Sequence, residues 1–354
     1  MNIDLLKQLC EVPGIPGREE RVRDLIEKEI DGLFDSVETD AMGNLICRRN
    51  ARTASGSVKK GDAKTLMLLC HMDEIGFYVS SIDEKGFLWL SPAGGFDPRN
   101  LFSRRVLVCS ENGDFKAVMN PGGRPVHISS PEDRKKVPEV KEFFVDTGMT
   151  PAQVTKNIQI GDYVVMDEPF LDLGAKCVSK ALDNRVACWL GIEAVRQLAK
   201  SKKGNPCEIV VAFTTQEEVG LRGARTSSFA VKPDYGIGID VTLACDTPGV
   251  PAAESVTTHG KGFALHIKDS SFISDHGMVQ SIEKIAKKGR IPYQRSILGA
   301  GGQDGAAAQQ AAAGAKAVGV TVGTRYIHTV TEMIDKKDLK AACDVLAAAM
   351  SELK

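Results

Sequence analysis

Apolar positions follow a helical spacing near the start of the chain and a strand-like spacing soon after it. In the segment 18–34 the outer face is charged, and the apolar positions share one face of a predicted helix: Val22, Leu25, Ile26, Ile30 and Leu33. Short strands are predicted at 36–40 and 44–49. The run 64–70 is largely apolar and has the length of a strand that is buried on both faces.

The pattern of apolar and polar positions changes in the middle of the chain. From about residue 75 to residue 168, short alternating segments are punctuated by glycine and proline, which predicts a β-rich unit. Its charged stretch 129–148 is predicted to carry one helix, and residues 162–166 are predicted to form its last strand.

Strands and helices alternate again after residue 175. Helices are predicted at 183–200, 274–288 and 336–352 and from about 304, and strands at 208–215, 235–240, 262–267 and 315–322. Such alternation is typical of an α/β sheet covered by helices. We therefore predict a three-layer α/β/α domain formed by residues 1–74 and 169–354, with a β-rich domain inserted at 75–168.

Composition and charge narrow the class of protein. The 354 residues are enough for two domains, and 45 basic residues balance 46 acidic ones. This balance gives no electrostatic reason to expect binding to nucleic acid or to an anionic membrane. We find no signal-peptide pattern and no membrane-length apolar run, and the nine cysteines are scattered without a C-x-x-C pair. A cytoplasmic protein with reduced cysteines is expected.

Candidate metal ligands follow four separate apolar runs. The runs end in His71, in the pair Glu217-Glu218, in Asp240 and in His328. Open α/β sheets build their sites outside the carboxyl ends of the strands, so these side chains are expected to meet at one edge. Each of them alone is more often a capping or surface residue, and the joint pattern is what favours a metal site, because buried charges need partners.

Asp183 adds a fifth candidate ligand at the start of the predicted helix 183–200. A helix N-cap is the simpler interpretation of this residue, but a carboxylate there can also bridge two cations. Imidazole with carboxylate and no thiolate suits zinc, cobalt or manganese, so we expect two divalent ions. Glu217 is then free to act as general base, and Asp73 is expected to orient His71.

Five stretches of the chain carry a family resemblance: HMDEIGF at 71–77, KALDNRVAC at 180–188, TTQEEVGLRGA at 214–224, DVTLACDTPG at 240–249 and RYIHT at 325–329. With these motifs the chain closely resembles the tetrahedral (TET-type) dinuclear metallo-aminopeptidases, which include leucyl, glutamyl and deblocking enzymes. The resemblance runs from the first predicted helix to the last. Gln303-Asp304 departs from the Thr-Asp frequent in relatives, which concerns side-chain preference near the substrate.

The resemblance implies roles for the candidate residues. His71 and Asp240 would hold one metal, Glu218 and His328 the other, and Asp183 would bridge them, with Glu217 as general base and Asp73 as its supporting carboxylate. It also implies a cis peptide bond between Asp183 and Asn184. The inserted unit would be PDZ-like and would drive dimerisation, with dimers assembling into a hollow dodecamer that admits short peptides.

The expected reaction is hydrolysis of the first peptide bond of short peptides. Glu217 would take the proton of the attacking water and pass it to the leaving amine. Two alternatives are an endoglucanase-like glycoside hydrolase, which would use Glu217 and Glu218, and an inactive scaffold of the same fold. Adjacent residues in an extended chain point to opposite faces, which disfavours a facing pair of glycosidase carboxyls.

Overall fold

The computed structural model describes residues 1–53, 56–58, 63–201 and 203–354. Its α-helices are α1 (Ile3–Glu11), α2 (Glu20–Glu29), α3 (Pro151–Asn157), α4 (Leu182–Ser201), α5 (Arg222–Val231), α6 (His276–Gly289), α7 (Gly305–Gln309) and α8 (Lys336–Glu352). Its strands are β1 (Ser36–Thr39), β2 (Leu45–Arg49), β3 (Arg52–Thr53), β4 (Gly56–Ser57), β5 (Thr65–His71), β6 (Gly76–Ile82), β7 (Leu88–Ala93), β8 (Arg104–Ser110), β9 (Gly113–Pro121), β10 (Phe143–Asp146), β11 (Tyr163–Met166), β12 (Leu171–Asp172), β13 (Lys176–Ser179), β14 (Glu208–Thr214), β15 (Tyr235–Leu243), β16 (Phe263–Lys268), β17 (Tyr293–Ile297), β18 (Lys316–Arg325) and β19 (Glu332–Asp335).

One large sheet organises most of the chain. Its strands run in the order β1-β2-β14-β5-β15-β18-β19-β13-β12, and β16 and β17 extend it from β18. The four central strands β14, β5, β15 and β18 are parallel to one another. Their apolar sequences fit this position, because central parallel strands are covered on both faces.

Helices cover the two faces of the large sheet unequally. Residues of α1, α2, α4, α6 and α8 share one core with alternate residues of β5, namely Leu66, Leu68 and Cys70. The intervening residues Met67 and Leu69 pack with α5 and α7 on the other face. This arrangement confirms the predicted three-layer α/β/α fold.

The β-rich unit is a separate closed barrel. Strands β6 to β11 follow one another in the sequence and close in the order β10-β7-β6-β11-β8-β9, around their own apolar core. The chain leaves the large sheet after β5, forms the barrel, and returns to the large sheet at β12. An inserted β-rich unit is therefore present, while the exact boundaries 75 and 168 stay a prediction.

Two sequence predictions about elements were wrong. The stretch 129–148 holds only 3-10 turns at Asp133–Lys135 and Val140–Glu142 before β10, because Pro131 and Pro138 interrupt the hydrogen bonds of an α-helix. Strand β15 does not end at residue 240 but continues to Leu243, paired with β18 throughout. Among the described residues, no helix is long and apolar enough to cross a membrane.

Candidate metal centre

The centre lies at the carboxyl edge of the four parallel strands. Strand β5 has β14 on one side and β15 on the other, although both come later in the sequence. Such a reversal of strand order opens a crevice at the strand ends. The register places Thr214 opposite His71, and the chain beyond β14 carries Glu217 and Glu218 over the same edge. His71 itself is only 1% exposed.

Asp183 lies between the two histidines. Its Oδ1 is 3.3 Å from Nε2 of His71, and its Oδ2 is 3.4 Å from Nε2 of His328. The same Nε2 of His328 is 3.4 Å from Oε2 of Glu218. One carboxylate thus offers one oxygen to each imidazole, which is the arrangement required of a bridging ligand.

The candidate ligands fall into overlapping groups. The ligand atoms of His71, Asp183 and Asp240 lie within 4.8 Å of one another, as do those of Asp183, Glu218 and His328. These are the two sets named from the sequence, with Asp183 common to both. The structure brings all five residues together, and their roles as ligands stay a prediction.

The site has more negative charge than its own side chains neutralise. Burial raises the pKa of Glu217 well above its ordinary value against the opposing effect of His71, and Asp240 and other carboxylates raise it further. Burial and then the Asp183 carboxylate raise the pKa of Asp240 well above its ordinary value. Burial lowers the pKa of His328, but Asp183 and Glu218 outweigh it and raise this pKa to about 12. The carboxylates therefore attract positive charge strongly.

The donor set fits divalent cations. Two imidazoles and three carboxylates, with no thiolate among them, suit zinc, cobalt or manganese. The nearby cysteines do not contribute, because Cys70 and Cys188 belong to the apolar core under α4, and Sγ of Cys188 donates to the backbone oxygen of His71. The excess of buried carboxylate is what two divalent ions would neutralise.

Asp73 holds the main chain of Glu217 and Glu218. It is fully buried, and its two carboxylate oxygens accept the backbone N–H groups of Glu217 and Glu218, each at 3.0 Å. Nδ1 of His71 is closer to the backbone oxygen of Asp73, at 3.1 Å, than to its carboxylate, at 3.6 Å. The carboxylate of Asp73 thus positions the segment with the general-base candidate, and its carbonyl orients His71.

The two preceding amides are also held by side chains. Oδ1 of Asn44 accepts the backbone N–H of Thr215 at 2.9 Å, and Oε1 of Glu19 accepts that of Gln216 at 3.0 Å. Gln216 has a left-handed backbone with φ 55°. Such a conformation costs about 1–3 kcal/mol in a non-glycine residue and persists only where its surroundings determine it. Buried side chains therefore fix the whole segment from Thr215 to Glu218.

Glu332, like Asp73, holds two backbone N–H groups with its two carboxylate oxygens, and we call such a carboxylate a clamp. The sequence did not reveal this one. It is buried, and its two oxygens accept the backbone N–H groups of Asp183 at 2.9 Å and of His328 at 2.7 Å. Burial, followed by the Asp183 carboxylate, raises its pKa well above the ordinary value. Its only sequence mark is a glutamate four residues after His328, which is too common a pattern to single out.

Asp183 is not the helix cap. The peptide bond between Asp183 and Asn184 is cis, which confirms that prediction, and both residues have non-helical φ and ψ. Asn184 takes the capping role, since its Oδ1 accepts the backbone N–H of Ala187 at 3.0 Å. Its Nδ2 donates to the backbone oxygen of Ile239 at 2.9 Å and ties the start of α4 to β15.

The barrel contributes one wall of the site. A Cβ added at Gly95, just after β7, would lie 3.6 Å from Nδ1 of His328. The next residue, Phe96, stacks on Phe77 of β6 with ring centroids 4.3 Å apart. Phe96 also lines a small cleft that Asp183 borders. Gln303 is buried against Gly238 of β15 and Gly319 of β18. Asp304 is buried beside the end of β14, where its carboxylate accepts the hydroxyl of Thr214 and contributes to the raised pKa of Glu217.

Sequence comparisons identify the family. A sequence profile of the M42 glutamyl aminopeptidases matches residues 54–345. A putative aminopeptidase of Acetivibrio thermocellus is 35% identical over 348 residues, covering 98% of each chain.

Solved structures match over the full chain. A TET aminopeptidase from a marine sediment thaumarchaeon superimposes with a TM-score of 0.93 at 30% identity, covering 100% of this chain and 96% of that one. The TET1 peptidase of Pyrococcus horikoshii, described as able to assemble into a tetrahedron or a large octahedral shell, gives a TM-score of 0.87 at 28% identity, covering 100% of both chains.

Proposed function

The chain belongs to the M42 glutamyl aminopeptidase family and is a metal-dependent aminopeptidase, and from that premise we propose that it works through two divalent ions held by His71, Asp183, Glu218, Asp240 and His328. His71 and Asp240 hold the first ion, Glu218 and His328 hold the second, and Asp183 bridges them. Zinc and cobalt are the candidates that the donor set favours, with manganese also compatible.

The position of Asp183 carries this proposal. Its two oxygens lie 3.3 and 3.4 Å from imidazole nitrogens of two different histidines. A carboxylate that only neutralised one histidine would not need the second contact. Glu217 also lies within ligand distance of His71 and Glu218, with Oε2 at 3.8 Å from Nε2 of His71. Because the two groups around Asp183 already provide ligands for two ions, we assign Glu217 a separate role.

We assign the general-base role to Glu217. When bound, the ions polarise the scissile carbonyl and lower the pKa of an attacking water. Glu217 accepts the proton of that water and passes it to the leaving amine. Asp73 keeps Glu217 in place through the backbone N–H.

The site is suited to a free amino terminus. We expect the free amino terminus of a substrate to be held by one of the ions together with a nearby carboxylate. Short peptides that present such a group are the proposed substrates. The preferred side chain at the amino terminus depends on a few residues of the substrate pocket.

We further propose that the barrel, residues 75–168, is a dimerisation domain and that dimers build a dodecameric shell. Six large apolar side chains of this unit are exposed: Phe102 by 43%, Val118 by 44%, Val126 by 58%, Val137 by 52%, Ile128 by 68% and Ile160 by 68%. Contact with a second copy would cover them. The shells of the Pyrococcus horikoshii relative support this proposal. Light scattering on the purified protein tests it, since a monomer would contradict it.

Replacing Glu217 by Gln tests the assignment of the base. Glu217→Gln keeps the shape of the side chain but cannot take a proton, so kcat on amino-acid p-nitroanilides is expected to fall about 10²–10⁴-fold. Elemental analysis is expected to find two ions per chain in both proteins. The control Glu84→Gln changes an exposed glutamate and is expected to leave both quantities unchanged. Wild-type turnover by Glu217→Gln would refute the assignment.

A further inference from the structure

Glu332 joins two separate parts of the chain at the metal centre. It is 2% exposed at the start of β19. Oε2 accepts the backbone N–H of Asp183 at 2.9 Å, and Oε1 accepts the backbone N–H of His328 at 2.7 Å. Asp183 lies at the start of α4, and His328 follows β18. The same carboxylate therefore sets the distance between the two main chains.

Neither of these backbones is held by regular secondary structure. Asp183 has φ −82° and ψ 101°, outside the helical range, and His328 has a left-handed φ of 63°. Both N–H groups are partly buried, and each would lose its acceptor if Glu332 were absent, which is unfavourable. The clamp thus satisfies both donors and fixes both conformations.

We propose that Glu332 is a positioning residue for the second ion. It holds the backbones of Asp183 and His328 where their side chains lie next to each other and to Glu218. This inference rests on the proposed dinuclear centre. The contacts in question are the 3.4 Å approaches of Nε2 of His328 to Asp183 and to Glu218. A shift of either backbone lengthens them.

The first ion depends on Glu332 much less. His71 is the last residue of β5, and Asp240 lies within β15, so the sheet itself fixes both. Glu218 is held by the other clamp, Asp73. Glu332 holds two of the three ligands of the second ion, Asp183 and His328. Of the ligands of the first ion it holds only Asp183. Loss of Glu332 should therefore weaken the two sites unequally.

A glutamine cannot replace Glu332 in this role. Both carboxylate oxygens are used, each by a different N–H group. In Glu332→Gln one of the oxygens becomes an NH₂ group. This NH₂ group then faces a backbone N–H group, and neither can accept a hydrogen bond from the other. The shape of the side chain is unchanged, so the substitution tests the second acceptor rather than the packing.

The test is a metal titration of chelator-stripped protein with zinc against a competing chromophoric chelator. Wild-type protein is expected to bind two ions in two steps, and Glu218→Gln identifies which step belongs to the second ion. In Glu332→Gln we expect the second step to weaken by about 10–100-fold and the first to stay within about threefold of wild type.

Asp338→Asn is the matched control. Asp338 is fully buried, and its two oxygens accept the backbone N–H groups of Gly260 and Gly262, each at 2.7 Å. Its loss breaks a clamp of the same kind among residues outside the metal centre. We expect Asp338→Asn to lower the unfolding temperature of the metal-free protein without moving either zinc affinity.

Three results would overturn the inference. Unchanged affinities in Glu332→Gln would show that the clamp does not position the ligands. Equal weakening of both steps would show a general structural role. Binding of only one ion per chain by wild-type protein would refute the dinuclear centre itself, which separates that failure from this one. If Glu332→Gln does not fold, Glu332→Asp, which keeps both oxygens but is shorter, is expected to show the same selective loss.

Discussion

Replacing Asp73 by Asn tests how the positions of Glu217 and Glu218 affect catalysis while both side chains are kept. Asp73 touches neither substrate nor reacting water in the proposed mechanism, and it holds Glu217 and Glu218 only by their backbone N–H groups, each at 3.0 Å. In Asp73→Asn the side-chain amide would offer one oxygen and one NH₂ group to two donors, so one of the two backbone N–H groups loses its acceptor.

The expected loss of kcat/KM follows from the free energy of the one lost hydrogen bond. A hydrogen bond to a charged group contributes about 1.5–3 kcal/mol, and Asp73 is fully buried, so water does not replace it. If the loss is felt fully in the transition state, kcat/KM falls by about 10–150-fold. That is less than the expected effect of removing the base itself, because Glu217 is displaced and not absent.

The assay compares kcat, KM and metal content of Asp73→Asn with those of Asp338→Asn, which breaks a carboxylate clamp of the same kind on Gly260 and Gly262. Both variants are expected to unfold at lower urea concentration, but only Asp73→Asn should lose kcat. Equal losses of stability with kcat within about twofold of wild type in both variants would refute the reasoning.

Two further predictions concern the neighbouring side chains. Burial and then Asp73 raise the pKa of Glu19 from 4.5 to about 7. In metal-free protein, the stability of wild type relative to Glu19→Gln should therefore be highest below about pH 4.5 and fall as the pH rises through 7, by at most about 3 kcal/mol. Urea titrations measure this difference, and a difference that stays constant with pH would contradict the prediction. Glu19 uses only Oε1 to hold Gln216, so Glu19→Gln should keep kcat within about threefold, whereas Glu19→Ala should lower it. In Gly223→Ala a new Cβ would overlap Oδ1 of Asn44, so we expect a loss of about 1–3 kcal/mol in urea unfolding together with a lower kcat; wild-type values would show that the contact relaxes without cost.

The gathering of the candidate ligands was predictable from the sequence because it depends on sheet geometry. His71 and Asp240 lie on neighbouring parallel strands, and Glu218 and His328 follow two more. Apolar runs identify such strands, and parallel strands share one carboxyl edge. The layers of the fold follow from the same alternation of strands and helices.

The clamps were not predictable because they depend on tertiary contacts between distant residues. Glu19, Asn44 and Glu332 are ordinary polar residues in the sequence, and only the fold brings their oxygens to the backbone of the site. Short elements were missed for a related reason: α5 (Arg222–Val231) is rich in Ser, Gly and Thr, which are weak helix formers. Tertiary packing, not local preference, determines it.

The place of the barrel in the chain has a consequence during protein synthesis. Strand β5 emerges before the barrel, and both of its partners, β14 and β15, emerge after it. At about 5–20 residues per second, the ribosome takes on the order of 10 s to make the intervening chain. All six barrel strands are complete within that interval, while the seven residues of β5, six of them buried in the final fold, have no strand to pair with. The nascent chain thus carries a finished barrel beside an unpaired apolar strand, and that strand is where a chaperone would be needed most.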